Sequence, residues 1–469
     1  MSAADLAFTP ATELAGLIRA KKLSPVELTR ATLERIERLN PALNAFCTIT
    51  ADAALAAARD AEQAVVRGAP LGPLHGLPVS IKDLALTKGV RTMGGSYIFE
   101  HRVPDVDAPF VRRLREAGAV CVGKTTSPEF GWKALGDSPL TGVTRNPWNP
   151  AFTTGGSSAG AGAAAAAALG PLHQGSDGAG SIRIPSAFCG IVGVKPTYGR
   201  VPIWPVSNND YTTHTGPMTR TVADAALMLG VTAGPDPWDA TSLEAPPADY
   251  LGLLNRGVRG KRVAFSPDLG GLRVDPEVAT LVAAAARAFE SLGCKVEEVK
   301  PGFADSTDMI RLLWSAHYAG NYGQFLGEWR DRMDPGLVAC IEEARRWSAA
   351  DYVAMRGRKI TYWDSVRPLF ETYDLLLTPT TSVPALPVGR LNPDGWPQHA
   401  WDWFPWASFS YPFNFTGQPA ATVPAGFAAN NLPVGLQIVG RRFDEVTVLQ
   451  AAAAFEQARP WAAKRPQVS

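Results

Sequence analysis

The sequence predicts an α/β fold in which helices cover a β-sheet, and three observations carry that expectation. From residue 76 onward, short β-branched runs alternate with amphipathic helical stretches, and the same order returns from residue 261. The chain has 469 residues with 46% hydrophobic and 19% charged content, enough to bury a large core and too little charge for a disordered protein. Lys plus Arg number 45 and Asp plus Glu 44, so no net field draws nucleic acid or an anionic membrane, and a small molecule is the expected partner.

Taken in order, the first 66 residues read as helices. In "LSPVELTRATLERIERLN", Ser24 is the N-cap, Pro25 occupies the first helical position and Glu27 follows three residues after the serine, the pattern of a capping box. "GLPVSIKD" is then a strand ending at Lys82, "APFVRRLREAG" a helix closed by Gly118, and "AVCVGK" a second strand. In "HQGSDGAGSIRIP" (173–185), Ser181 stands between small residues and a segment that reads as a strand, with no histidine nearer than His173. "KRVAFSPD", "VDPEVATLVAAAARAFESLG" and "CKVEEV" form a further strand–helix–strand unit, with Asp275 as cap, Pro276 at the first position and Gly293 past the end. Residues 305–372 are mostly helical, and "YDLLLTPTT" and "LPVGLQIVG" return to strands. With no repeat and no low-complexity linker, residues 1–469 make one domain with a helical insertion.

The start, "MSAADLAFTPATELAGLI", lacks the basic, apolar and small-residue regions of a secretory signal, and "AGAAAAAALG" is too short to span a bilayer. The five cysteines, Cys47, Cys121, Cys189, Cys294 and Cys340, are scattered with no metal-ligand spacing. A cytoplasmic protein without a metal is expected.

Two motifs invite a function and both meet a physical objection. "GAVCVGKT" (118–125) matches a P-loop letter for letter, but a helix precedes it and "AVCV" reads as the strand itself, so its N–H groups belong to a sheet ladder instead of a phosphate cradle. "GSSAG" (156–160) matches a nucleophile elbow centred on Ser158. However, Pro147, Asn149 and Pro150 leave no strand to feed it, and His214, His317 and His399 have no context marking a triad partner. A Ser-His-Asp α/β-hydrolase using Ser158 is the weaker alternative.

"TGGSSAGAGAAAAAALGPLHQGSDGAGSIRIPSAFCG" resembles the signature region of the amidase signature family. "GLPVSIKDL", "GVKPTYGRVP", "GPMTRTVADAALML" and "NFTGQPAATVPAG" with "LPVGLQIVG" follow in that family's order, and the likeness is weakest from about residue 240 to 370. The resemblance implies a large mixed central β-sheet with helices on both faces. Its parts are N-terminal helices (1–66), a signature core (67–235), a less typical helix-rich insertion (236–370) and a C-terminal part with an aromatic substrate wall (371–469). It further implies a Ser-cisSer-Lys triad, with Ser181 as nucleophile, Ser157 as the bridging serine after a cis Gly156–Ser157 peptide, and Lys82 as base. To accept a proton the lysine must be neutral, so its pKa must fall from about 10.4 toward roughly 7 to 8, which burial without a carboxylate partner can achieve. Backbone amides of Gly178, Ala179, Gly180 and Ser181 are the expected oxyanion hole. Ser158, Asp177 and Arg183 are supporting residues, the last two as readily an ion pair as a chemical group. Ala159 and Ala179 stand where the family commonly has glycine, and neither removes a reacting group.

The chemistry so implied is acyl transfer to serine, release of an amine and hydrolysis of the acyl-enzyme, with no cofactor, and it extends to esters and carbamates. For the substrate pocket the sequence offers Phe130 and Trp132 in "SPEFGW" and Trp401, Trp403 and Trp406 in "HAWDWFPWASFSYPFNF", which favour a bulky apolar or aryl substituent. The alternative within the family is a glutamine-hydrolysing subunit of an aminoacyl-tRNA amidotransferase, which would need a partner protein. A homodimer is also compatible with the sequence.

Overall fold

The computed structural model describes residues 3–207, 209 and 211–468. Its strands are β1 (Phe46–Ile49), β2 (Pro78–Lys82), β3 (Val120–Thr125), β4 (Asp137–Ser138), β5 (Gly142–Val143), β6 (Arg145–Asn146), β7 (Asn149–Thr153), β8 (Leu172–Asp177), β9 (Val192–Lys195), β10 (His214–Thr219), β11 (Arg262–Phe265), β12 (Lys295–Glu298), β13 (Leu375–Pro379), β14 (Ala420–Phe427) and β15 (Pro433–Gly440). Eleven of them form one sheet in the order β1-β3-β2-β8-β10-β9-β14-β15-β13-β11-β12. The sheet is mixed: β2 runs parallel to β3 and β8, and β11 parallel to β12 and β13, while the successive pairs from β8 through β10, β9, β14 and β15 to β13, and β1 with β3, are antiparallel.

Both faces are buried, and the alternation of side chains shows it. Leu375 and Leu377 pack into one core with Val263 and Phe265 and with residues of the helices Pro276–Ser291 and Glu445–Ala458. Leu376 and Ala264 point the other way, into a second core with the helix Thr307–Tyr322 and the 401–415 aromatics. Near-continuous apolar strands such as "LLLTP" follow from that double burial.

Several expectations change. Ser24 does cap the helix Pro25–Leu43, accepting from the amides of Val26 and Glu27, but Glu27 completes no capping box; the Ser24 hydroxyl donates to Glu62 instead. The segment after Ser181 is the helix Arg183–Cys189, not a strand; the strand, β8, comes before the serine. "SIRIP" alternates like a strand, yet its helix is buried all round, so no helical periodicity marks it. A strand does form in "TRNPWNPAFTT": β7 includes Pro150, pairs with β6 in a two-stranded ribbon outside the main sheet and bridges Pro387 at Phe152, so proline costs no central ladder bond. Residues 236–370 are helix-rich but also supply β11 and β12 to the edge of the sheet.

Candidate active site

Lys82 is the last residue of β2, buried completely, and its place is set by the neighbouring strand β8 through a bond from the Lys82 amide to Gln174 Oε1 (3.0 Å). Its Nζ donates to Ser157 Oγ at 2.7 Å and to Ser176 Oγ at 3.0 Å. No carboxylate lies within ion-pair distance among the described residues. Burial lowers the lysine from its ordinary 10.5 to about 7, and the Asp177 charge offsets only part of that fall. The shift brings the neutral, proton-accepting form of the lysine within reach near neutral pH.

Ser157 follows a cis Gly156–Ser157 peptide bond. Beyond it, the buried helix Ala159–Ala166 is made only of alanine and glycine, and Gly160 lies where a Cβ would meet the main chain of Ala45 and Thr126. Small residues let this helix, and Ser157 at its start, press against the sheet. Ser158 is turned away: its hydroxyl donates to the Ser176 carbonyl (3.1 Å) and accepts from the Ser176 amide (3.2 Å). That pinning, and a preceding strand outside the main sheet, remove the elbow reading of "GSSAG". The P-loop reading also falls, because β3 occupies residues 120–125 and Lys124 Nζ is spent on Ala85 O, Thr87 Oγ1 and Thr92 Oγ1.

Ser181 ends the loop between β8 and the helix Arg183–Cys189 and lines the same cavity as Lys82 and Ser157. Asp177 shapes that loop. Its carboxylate accepts from the amides of Gly180 (2.7 Å) and Ile182 (3.2 Å) and takes a two-pronged pair from Arg183, Nε to Oδ2 and Nη2 to Oδ1, both 2.9 Å. Burial alone would raise this carboxyl; the Arg183 guanidinium, Lys195 and Asn414 hold it well below the usual carboxylate range. Arg183 in turn donates to Gln437 Oε1 (2.8 Å), Asn414 Oδ1 (2.6 Å) and the Ser410 carbonyl (2.8 Å). The expected oxyanion set is thereby corrected: the Gly180 amide is consumed by Asp177. The amides of Gly178, Ala179 and Ser181 take no hydrogen-bond partner among the described residues, and Gly178 and Ser181 line the cavity.

The cavity holds about 710 Å³ and is lined by Phe99, Phe130, Trp314, Tyr318, Tyr322 and Phe325, and by Trp204. Phe130 lies flat on Tyr322 (centroids 3.8 Å apart, planes at 3°) and meets Phe99 edge-on at 5.7 Å. Of the five aromatics expected there, only Phe130 lines it. Trp132, Trp401, Trp403 and Trp406 are buried behind the wall: the Trp132 carbonyl accepts from Trp314 Nε1 (2.7 Å) and Trp403 Nε1 (3.1 Å), and Trp406 stacks on Phe188 and bonds the Leu391 carbonyl. Sequence reasoning also missed Ser176, Asn414 and Gln437. All three lie in stretches that carry the family resemblance, but what each one holds depends on contacts made across strands, which no local pattern records. No grouping of His, Cys, Asp and Glu that could hold a metal occurs among the described residues.

Comparison with known proteins agrees with this architecture. The Amidase family model matches residues 27–449. An acylamidase of Rhodococcus erythropolis is 40% identical over 99% of this chain and 98% of its own length. A subunit of the glutamyl-tRNA(Gln) amidotransferase of Geobacter metallireducens is 36% identical over 96% and 97%. The crystal structure of a bacterial aryl acylamidase of the amidase signature family superposes with a TM-score of 0.91 at 32% identity, covering 97% of each chain. The chain belongs to the amidase signature family and is a hydrolase of amide carbon–nitrogen bonds.

Proposed function

We propose that this amidase acts on amides with bulky apolar or aryl substituents, and on aryl esters and carbamates, through an acyl-enzyme on Ser181. The observation that carries the reading is the aromatic cavity at the Lys82–Ser157 pair, which contains no aspartate or glutamate among its described lining residues. In this mechanism neutral Lys82 takes the Ser157 hydroxyl proton as Ser157 takes that of Ser181, and Ser181 Oγ bonds to the substrate carbonyl carbon. The amides of Gly178, Ala179 and Ser181 are donors available to the resulting oxyanion. Its collapse breaks the carbon–nitrogen bond, with the lysine proton returned through Ser157 to the departing amine. Water, deprotonated along the same relay, then releases the acid from Ser181.

The similarity to amidotransferase subunits favours a second reading, hydrolysis of glutamine for a partner protein. Against it, the α-ammonium of glutamine would meet no carboxylate in the described lining, and a buried cation without one is costly. The chain is read as working alone in the cytoplasm, where its five cysteines, all unpaired, would remain reduced. The purified chain, without a partner, should hydrolyse an acyl anilide or aryl carbamate with higher kcat/KM than glutamine, and a fluorophosphonate should label Ser181. Equal efficiency on glutamine would sink the aryl preference, and labelling of Ser158 would sink the mechanism.

A further inference from the structure

One charged side chain in the cavity has no part in the proton relay. Arg102 lines the same cavity, half-buried, and is held at two points: its Nε donates to the Thr92 carbonyl (2.9 Å), and its guanidinium lies 4.3 Å over the Phe99 ring. The Thr92 amide bonds back to the Arg102 carbonyl (2.9 Å), so the two residues lock each other. These contacts use Nε and one face of the group. The two terminal nitrogens make no hydrogen bond or ion pair among the described residues. The acid that Arg102 feels most, Asp83, lies beyond ion-pair reach, accepts from the Met93 amide and is balanced by Lys124.

A guanidinium fixed in place with its two-nitrogen edge unpaired among the described residues, in a cavity with no aspartate or glutamate among its described lining residues, has the geometry of a carboxylate receptor. We infer that the substrates of this enzyme carry a carboxylate at the end remote from the scissile bond, received by the terminal nitrogens of Arg102. The inference rests on the amide-hydrolase reading of the same cavity and names its substrate class further.

Position supports the remote placement. A Cβ on Gly131 would lie 3.1 Å from Ser157 Oγ; Phe130 is the next residue, its ring touches Phe99, and Arg102 stands over Phe99. The run of contacts from Ser157 to Arg102 thus passes through Gly131 and the rings of Phe130 and Phe99. A carboxylate bound beside Lys82 would favour the protonated lysine and suppress the base; one bound at Arg102 leaves it neutral while the rings take up the apolar middle of the molecule. Loss of one charge-assisted pair of hydrogen bonds corresponds to about a tenfold weaker hold on the anion.

The test uses acyl anilides in two series, with a carboxylate or an isopropyl group of matched shape ending either the acyl chain or an alkyl arm on the ring. Turnover is measured on the wild type, Arg102→Gln and Arg102→Lys. Binding of the same compounds is measured by calorimetry in Ser181→Ala, alone and combined with each Arg102 change. In one series the wild type should prefer the carboxylate, Arg102→Gln should lower that preference about tenfold in both kcat/KM and Kd, and Arg102→Lys should restore part of it. A preference equal in all three proteins in both series overturns the inference, while turnover of the isopropyl compounds leaves the hydrolase reading standing. The tenfold change in Kd with no turnover of any anilide would sustain the carboxylate site and overturn the hydrolase reading.

Discussion

Burial, with two hydroxyls as partners, brings Lys82 to about 7, and both activity and stability should report it. In the proposed mechanism Lys82 is the general base and must be neutral, so kcat/KM should rise with pH through about 7 and level off above; Lys82→Met should lose several orders of magnitude. The same shift has a stability sign. Between about 7 and the ordinary 10.5 the unfolded chain holds a proton that the folded chain has released, so raising the pH favours folding. Stability of the wild type relative to Lys82→Met should increase by about 1.4 kcal/mol per pH unit across that window in denaturant titrations. A difference that stays flat between pH 7 and 9 contradicts the burial account. At Arg183, loss of the guanidinium leaves a fully buried carboxylate unpaired. Arg183→Met should therefore cost about 3–5 kcal/mol, whereas the double change with Asp177→Leu should recover part of it.

The loop from Asp177 to Ser181 and the helix after it form the element that carries Ser181, the nucleophile of the proposed mechanism. Gly180 there has φ of +116°, a conformation that L side chains rarely adopt, and a Cβ on it would lie 2.7 Å from Ile184 Cδ1 and crowd Ser410. Ser410 itself donates to the Ala179 carbonyl (2.7 Å), so the crowding would be transmitted to the amides facing the cavity. Gly180→Ala is expected to lower kcat by about a hundredfold, the scale of a lost oxyanion donor, and to lower thermal stability. An alanine variant with wild-type kcat would show that the loop tolerates displacement and that its amides are not oxyanion donors. The all-small helix Ala159–Ala166 serves the same end from the other side, setting the depth at which Ser157 meets Lys82.

Across the whole molecule the aromatic residues form two layers with different duties. The outer layer, Phe130 and Tyr322 among it, borders the cavity; the inner layer of Trp132, Trp401, Trp403 and Trp406 supports it from within the second core. Trp403→Ala should cost about 3–5 kcal/mol of stability while leaving the ratio of aryl to alkyl substrate efficiency near the wild-type value. Phe130→Leu should do the reverse, shifting that ratio about fivefold against aryl substrates with little change in melting temperature. If Trp403→Ala moves selectivity as much as Phe130→Leu, the two-layer arrangement is wrong.

What the sequence determined by itself was whatever is encoded locally or in spacing. Strand and helix periods placed β2, β3, β11 and β12, because apolar alternation and caps act over a few residues. The motifs around Lys82, Gly156–Ser158 and Ser181 were legible as one set, and Asp177 with Arg183 as a pair. Where the period vanished, as in the fully buried helix after Ser181, the local signal misled. The pocket was decided only by tertiary structure. Its wall joins residues near 99, 130, 204 and 314–325, which the β2–β3–β8 strands and the helix Thr307–Tyr322 bring together from distant parts of the chain. Tryptophans at 401–406 looked equally suited to that wall, since packing a core and bordering an apolar cavity select the same side chains. Which ring faces the cavity, which hydroxyl holds the lysine, and which amide Asp177 consumes depend on atoms placed across strands, and no local pattern records those distances.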